Sequence, residues 1–138
     1  MQPDPLELAR RWFQQGSDDL EDAGISLEAA RYHVACFFAQ QSAEKTLKAL
    51  LYWTAGDYPR RHLIATLLEE LAESPVHVPD EIAAGARALD KYYMTTRYPD
   101  VLDYALPTNA FHRDEAERAI AYARDVRDFV GDRLPKSP

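Results

Sequence analysis

The sequence has one cysteine, no long hydrophobic run and no excess of positive charge. Its single cysteine, Cys36, excludes an internal disulfide and suits a reducing compartment. No apolar run approaches the roughly 18 to 20 residues that a membrane-spanning helix needs. The first residues, MQPDPLELARRW, have neither the basic start nor the apolar block of a secretory signal. These absences predict a cytoplasmic protein with no membrane contact.

Acidic side chains outnumber basic ones by 23 to 16, so the net charge is −7. Any attraction to nucleic acid or anionic lipid therefore has to come from a local basic patch, since the overall field opposes it. The sequence lacks a glycine-rich phosphate loop, a His-Glu-x-x-His motif and paired Cys-x-x-Cys motifs. His33 and Cys36 are spaced to share a helix face, but two ligands without a third do not predict a metal site. We predict neither metal nor cofactor.

The 138 residues have the composition of one ordinary globular domain, with 46% hydrophobic and 28% charged side chains. Apolar residues recur at spacings of three and four along five stretches, and no stretch is a convincing strand. The predicted helices cover about residues 5–26, 27–55, 61–73, 80–97 and 110–132. The sequence therefore predicts an all-α, up-and-down bundle of about five helices in a single domain, 1–138.

The second half of the chain contains two irregular segments. SPVHVP, residues 74–79, is a predicted loop, and Pro99 and Pro107 bracket a second irregular segment over residues 95–109. Between them, Asp80 is a good N-cap candidate for the fourth helix. The predicted buried positions of that helix are Ile82, Ala86, Leu89 and Tyr93.

The second helix contains the most unusual stretch, CFFAQQSAEKTLKALL, residues 36–51. Its predicted buried stripe is Cys36, Ala39, Ala43, Leu47 and Leu50. The side that this stripe does not use carries two sets of side chains. These are the rings of Phe37, Phe38 and Tyr52 and the polar row Gln41, Glu44, Lys45 and Lys48.

Two interpretations of that second side remain open. In the first it is a solvated face, where Glu44 and Lys48 form an i,i+4 pair that contributes a few tenths of a kcal/mol. In the second the three rings form part of an interface, because a monomer rarely leaves such an apolar patch in water without a use. The rings favour the second interpretation and predict a homodimer.

The sequence TRYPD, residues 96–100, follows the fourth helix. Pro99 disfavours the helical conformation at Tyr98, so the helix is expected to end close to Arg97. An arginine at a helix C-terminus interacts favourably with the helix dipole, and Asp100 can form an Asx-type turn. These structural roles require no ligand.

Taken together, these motifs resemble the HEPN domain, the helical domain named for higher eukaryotes and prokaryotes nucleotide-binding. The resemblance is carried by CFFAQQSAEKTLKALL, by His62 opening HLIATLLEEL, by TRYPD and by a last helix ending ARDVRDFV. Their order and spacing match over roughly residues 6–131, which would be the core of the domain.

The resemblance implies a bundle of four to five helices that forms a homodimer. It also implies a minimal nucleotidyltransferase as protein partner, in a toxin–antitoxin-like pair, and a nucleotide or polynucleotide as ligand. Lys45, Lys48 and Arg97 would contact phosphates, and Tyr98 would stack on a base. The positions that the resemblance implies for ligand binding are Gln41, Glu44, Lys45, Lys48, Arg61, His62, Arg97, Tyr98 and Asp100. Phe37, Phe38 and Tyr52 would form the dimer interface.

The sequence departs from the RNA-cleaving members of the wider superfamily, which carry Arg, four to six residues, then His. No such pair is present in this chain. We therefore expect a binding module without catalysis. The alternative is a metal-independent endoribonuclease toxin in which Arg97 and His112 converge across the intervening loop. A third interpretation is a dimer that binds no ligand.

Overall fold

The computed structural model describes residues 4–56, 61–98, 100 and 106–136, and within these ranges every regular element is a helix. The helices are α1 (Pro5–Glu28), α2 (Tyr32–Ala55), α3 (Ile64–Ala72), α4 (Asp80–Ala88), a 3₁₀ turn (Leu89–Lys91), α5 (Tyr92–Thr95), α6 (Pro107–Ala110) and α7 (Arg113–Arg133). Helix α2 packs against α1 and α7 and also contacts α3, α5 and α6. The predicted all-α bundle is confirmed.

All five residues of the stripe predicted on α2 are buried in the core, which also includes residues of α1, α3, α4, α5 and α7. The turn between α1 and α2 lies a few residues later than the sequence predicts. Ala30 adopts the left-handed conformation there with φ of 59°, and the backbone N–H of Arg31 donates to Ser26 O at 2.8 Å. This short turn makes α1 and α2 antiparallel neighbours.

Gly16 allows α1 to approach α2 closely. A Cβ atom at this position would lie 2.6 Å from Thr46 Cγ2 and 3.0 Å from the carbonyl oxygen of Ser42. Ser42 and Thr46 are buried, so these atoms have little room to move. The close approach brings α1 side chains, among them Trp12, next to the polar row of α2.

The predicted fourth helix is divided and differs from the prediction in two respects. Asp80 is its first helical residue and not its N-cap, a position that Pro79 occupies without a side-chain cap bond. The 3₁₀ turn Leu89–Lys91 then has fewer residues per turn than an α-helix, so the buried face shifts along the sequence. As a result Tyr92 is buried, whereas Tyr93, the predicted core residue, is only half-buried.

Helix α3 begins at Ile64, three residues after the predicted start, and its first N–H groups bind a distant side chain. Asp90, in the 3₁₀ turn, accepts from Ile64 N at 2.7 Å and from Ala65 N at 2.9 Å. A carboxylate at a helix N-terminus satisfies unpaired N–H groups and interacts favourably with the dipole. This contact fixes the segment that carries His62, just before α3.

The predicted irregular segment 95–109 contains regular structure at both ends. Thr95 is the last residue of α5, and Pro107 is the first residue of the short helix α6. Helix α7 then starts at Arg113, three residues later than predicted, with His112 at its N-cap position. Pro99, at the predicted bend, lies outside the described residues. No helix in the described part of the chain is long and apolar enough to cross a membrane.

Candidate functional site

The polar row of α2 is largely buried, which differs from the solvated face considered above. Lys48 Nζ lies 3.0 Å from Glu44 Oε2, and both side chains are less than 5% exposed. Gln40 Nε2 donates to Glu44 Oε1 at 3.4 Å, and Gln41 Nε2 donates to Gln40 Oε1 at 2.7 Å. The row is buried because α2 lies at the centre of the bundle, with helices on more than one side.

Lys48 also contacts two side chains from other parts of the fold. Its Nζ lies 5.5 Å from the centre of the Trp12 ring on α1 and 3.3 Å from His62 Nδ1. His62 Nδ1 is in turn 3.6 Å from Glu44 Oε2. Lys48, Glu44 and His62 are therefore grouped, with the His62 side chain 57% exposed at the surface.

The contact of Lys48 with His62 is a hydrogen bond in one tautomer of the neutral ring. An ammonium group has three donors and no acceptor, so Nδ1 of His62 accepts from Lys48 only when the ring proton is on Nε2. In that tautomer Nε2, on the side of the ring away from Lys48, presents an N–H donor to a molecule bound at the surface.

Lys45 forms a separate ion pair. Its Nζ lies 2.6 Å from Oδ2 of Asp19, a buried residue of α1. Oδ1 of Asp19 accepts a further hydrogen bond from Gln15 Nε2 at 3.0 Å. The charge of Lys45 is thus neutralised at the contact between α1 and α2, and this lysine is not part of the group around His62.

Arg97 lies beyond the end of α5 among three aromatic rings. Its guanidinium carbon is 4.7 Å from the centre of the Phe37 ring, 4.9 Å from that of Tyr93 and 5.0 Å from that of Tyr98. Arg97 Nε and Nη2 donate to the carbonyl oxygen of Tyr93 at 3.0 and 2.6 Å. We call Arg97, Phe37, Tyr93 and Tyr98 the Arg97 cluster.

Tyr93 joins the Arg97 cluster to the group around Lys48. The rings of His62 and Tyr93 are nearly parallel, with centroids 6.0 Å apart and an interplanar angle of 9°. Arg97 contacts the same tyrosine. The structure therefore combines a buried ion pair, an exposed histidine and an exposed arginine in one continuous site, built from α2, α5 and the segment before α3.

Several residues of this site were not predicted from the sequence. The sequence predicts Tyr93 as a core residue, and nothing in the periodicity of α1 distinguishes Trp12 as a neighbour of Lys48. Gln40 precedes the predicted polar row and belongs to it. Asp90, which fixes the segment before α3, is separated from Ile64 by 26 residues and has no local sequence signal.

The three rings predicted for the dimer interface have different environments. Tyr52 is 8% exposed, so it belongs to the core of the protomer and does not fit the predicted apolar patch. Phe37 takes part in the Arg97 cluster, and Phe38 is partly buried against the core, with its ring centre 5.7 Å from that of Phe37. Trp53, which was not predicted, is 37% exposed.

The remaining predicted site residues lie outside the group around His62. Arg61 forms an exposed ion pair with Glu70 at 3.2 Å, and Asp100 is exposed. His112 is exposed at the start of α7, and no hydrogen bond between the described residues connects it to Arg97.

Several groups elsewhere in the described part of the chain have perturbed acidities. Burial, followed by the nearby Glu115 carboxylate, raises the pKa of the Cys36 thiol to about 12. Burial and a hydrogen bond to Glu115 Oε2, 2.8 Å long, raise the pKa of Tyr92. Partial burial, with a smaller effect from Arg31, lowers the pKa of His33. Within the described ranges, no three His, Cys, Asp or Glu side chains are grouped to hold a metal ion.

Comparison with known proteins shows to which family the chain belongs. The model of the HEPN domain matches residues 9–133. The chain belongs to the HEPN domain family. Among solved structures, TT1696 from Thermus thermophilus is 40% identical with a TM-score of 0.85, over 91% of this chain and 98% of that one. ST0689, an archaeal HEPN homologue, is 32% identical with a TM-score of 0.76, over 92% and 98%.

A more distant relative of this HEPN chain carries a functional name. MJ1304 of Methanocaldococcus jannaschii, which is named as a candidate toxin, is 22% identical over 138 residues. The match covers 94% of this chain and 90% of the relative. Both the family match and the structural matches extend over the helices that build the site.

Proposed function

We propose that this HEPN protein is a dimeric module that binds a nucleotide or polynucleotide without cleaving it, and that it pairs with a minimal nucleotidyltransferase. The observation that carries the proposal is the Arg97 cluster beside His62. An exposed guanidinium supplies charged donors for a phosphate, the surrounding rings supply faces for a base, and His62 supplies a further donor.

The set of residues that we propose to contact the ligand is smaller than the set implied by the resemblance. Arg97, Tyr98 and His62 are exposed and adjacent through Tyr93, so they are the proposed direct contacts. Glu44 and Lys48 are buried next to His62 and hold its ring in place. Gln41 supports this buried pair through Gln40, whereas Lys45, Arg61 and Asp100 would act at the edge of a larger ligand.

A binding experiment tests whether the chain binds a nucleotide or a polynucleotide. The full chain is titrated with ATP, GTP and a short single-stranded RNA, with and without magnesium, and its melting temperature is recorded. A ligand that binds only the folded state raises the melting temperature by mass action. We expect a shift with at least one of the three ligands and a loss of that shift in Arg97→Ala. No shift with any ligand at low salt would contradict the proposal and leave a dimer that binds no ligand.

The relative named as a candidate toxin favours a second function, a metal-independent endoribonuclease that uses Arg97 and His112. In that mechanism His112 would transfer the proton and Arg97 would stabilise the charge that develops on the phosphate. A time course on labelled RNA without metal separates the two functions. We expect intact RNA with the parent protein. Cleavage that both Arg97→Ala and His112→Ala abolish would establish the nuclease instead.

A further inference from the structure

A cleft that has no role in the proposed function lies at the connection between α3 and α4. Its volume is about 330 Å³, close to the lower limit of roughly 300 Å³ for sites that enclose a small molecule. Its lining includes the apolar Leu68, Val76 and Val78 and the polar His77, Asp80 and Arg87. We propose that this cleft docks an extended peptide segment of a partner protein, which places one apolar side chain in the cleft.

The cleft is separate from the site around His62. Helix α3 runs from Ile64 to Ala72, so its ends are about 12 Å apart. His62 precedes the first of these residues, whereas Leu68 and Ala72 line the cleft near the last. None of the described lining residues belongs to the group around Lys48 or to the Arg97 cluster. A peptide in the cleft would therefore not contact the residues proposed to bind the ligand.

The backbone of the connection is available for pairing with another chain. Exposure alternates along residues 74–79, where the even-numbered residues are half-buried and the odd-numbered residues are exposed. This alternation is typical of an extended chain that lies on a protein surface. Val76 N donates to Ser74 Oγ at 3.1 Å, but the N–H and the carbonyl oxygen of His77 have no hydrogen-bond partner among the residues that the structure describes. In an extended chain these two groups point to the same side, so His77 offers a donor and an acceptor to one residue of an added strand.

Two charges at the edge of the cleft define the charge pattern of the peptide. Asp80 and Arg87 lie two turns apart on one face of α4, with about 10.5 Å between them along the helix axis. Both are exposed, and no ion pair between described residues involves either of them. Positions i and i+4 of an extended peptide face the same side and are about 13 Å apart, a difference that long side chains accommodate. A basic residue at i, an apolar one at i+2 and an acidic one at i+4 would therefore face Asp80, the apolar lining and Arg87.

The charge around the cleft favours a basic peptide over a nucleic acid. Residues 69–87 contain five carboxylates and one guanidinium, that of Arg87. Of these carboxylates, Glu70 pairs with Arg61, and the other four form no ion pair within the described part of the chain. A polyanion would be repelled here, whereas a peptide of net positive charge would be attracted. The occupant is therefore a segment with more basic than acidic residues.

The test is an NMR titration of the full, isotopically labelled chain with a synthetic peptide of about ten residues. The centre of the peptide is Arg-Thr-Val-Thr-Glu, and lysines flank it. In three control peptides, lysine replaces the glutamate, asparagine replaces the valine, or the central residues carry main-chain N-methyl groups. We expect the amide signals of His77 and Val78 to shift with the first peptide and their hydrogen exchange to slow at least about fivefold. Each control peptide should bind at least about threefold more weakly, because each lacks one of the contacts described above.

Charge reversal in the protein identifies the side chain that faces the acidic residue of the peptide. Arg87→Glu should weaken binding of the first peptide at least about fivefold, because two carboxylates then face each other. The peptide with lysine in place of glutamate should recover most of this loss, which also shows that the variant is folded. Arg124→Glu is the matched control, because Arg124 is exposed on α7, does not line the cleft and forms no ion pair with a described residue. It should bind the first peptide as the parent does.

Several outcomes would overturn the inference. If no peptide at millimolar concentration shifts the signals of His77 and Val78, the cleft does not dock peptides. Shifts that depend on protein concentration without peptide would show that a second copy of the chain occupies the cleft. Equal binding of all four peptides by the parent and by Arg87→Glu would show an apolar contact without the proposed charge pattern. These outcomes are independent of nucleotide binding, which the melting-temperature titration measures at the other site.

Discussion

At the scale of single residues, the buried pair of Glu44 and Lys48 is the feature on which the site depends. Removing one member leaves the other as an uncompensated charge, at a cost of about 3 to 5 kcal/mol. We predict that Lys48→Met lowers the free energy of unfolding by this amount in urea denaturation. The double variant Glu44→Leu, Lys48→Met should recover most of the loss. Equal stability of the single and double variants would show that the charge of Glu44 is not the cause.

Cys36 provides a prediction of pH dependence. Its pKa is about 12 in the folded protein and about 8.5 in an unfolded chain, so the unfolded chain loses the thiol proton first. The free energy of unfolding should therefore fall as pH rises above about 8.5, by up to roughly 1.4 kcal/mol per pH unit. Urea denaturation of the parent and of Cys36→Ala at pH 8, 9 and 10 measures this. The slope should be smaller in Cys36→Ala, and identical slopes would contradict the assignment.

At the scale of elements, the N-terminus of α3 depends on a carboxylate that is 26 residues away. We predict that Asp90→Ala lowers the free energy of unfolding by about 1 to 2 kcal/mol, because two N–H groups lose their acceptor. Asp80→Ala is the matched control. Asp80 lies in the first turn of α4 without a side-chain cap bond, so its loss should cost only about 0.3 to 1 kcal/mol. Losses of equal size would show that only the helix dipole is involved.

The helices were predictable from the sequence. The buried face of a helix was predictable only where a single neighbouring element covers it. The core stripe of α2 follows from spacing, and all of its residues are buried. Periodicity could not show that Glu44 and Lys48 are buried too, because it detects one buried stripe and α2 is covered on several sides. Tyr92 is buried in place of the predicted Tyr93 for a local reason, because a 3₁₀ turn changes the spacing between buried residues. The contact of His62 with Lys48 depends on tertiary packing and has no local pattern.

At the scale of the whole molecule, we predict a homodimer in solution. Phe38, which is not part of the Arg97 cluster, remains only partly buried on α2 and fits a self-complementary surface between two copies. Light scattering at micromolar concentration should give twice the monomer mass of 15.7 kDa. Phe38→Ala should shift the mass toward the monomer, whereas Ile25→Ala, at a side chain that is 62% exposed on α1, should not. A monomer mass for the parent would contradict the prediction.

The contact of Trp12 with Lys48 also gives the chain an intrinsic optical reporter. Indole emission is sensitive to a nearby charge, and the Trp12 ring lies 5.5 Å from the ammonium group beneath the site. The sequence contains two tryptophans, and the second, Trp53, is partly exposed to solvent. In Trp53→Phe the fluorescence would come from Trp12 alone. Occupancy of the surface above Lys48 could then be followed in real time on unlabelled protein, by stopped-flow mixing as well as at equilibrium.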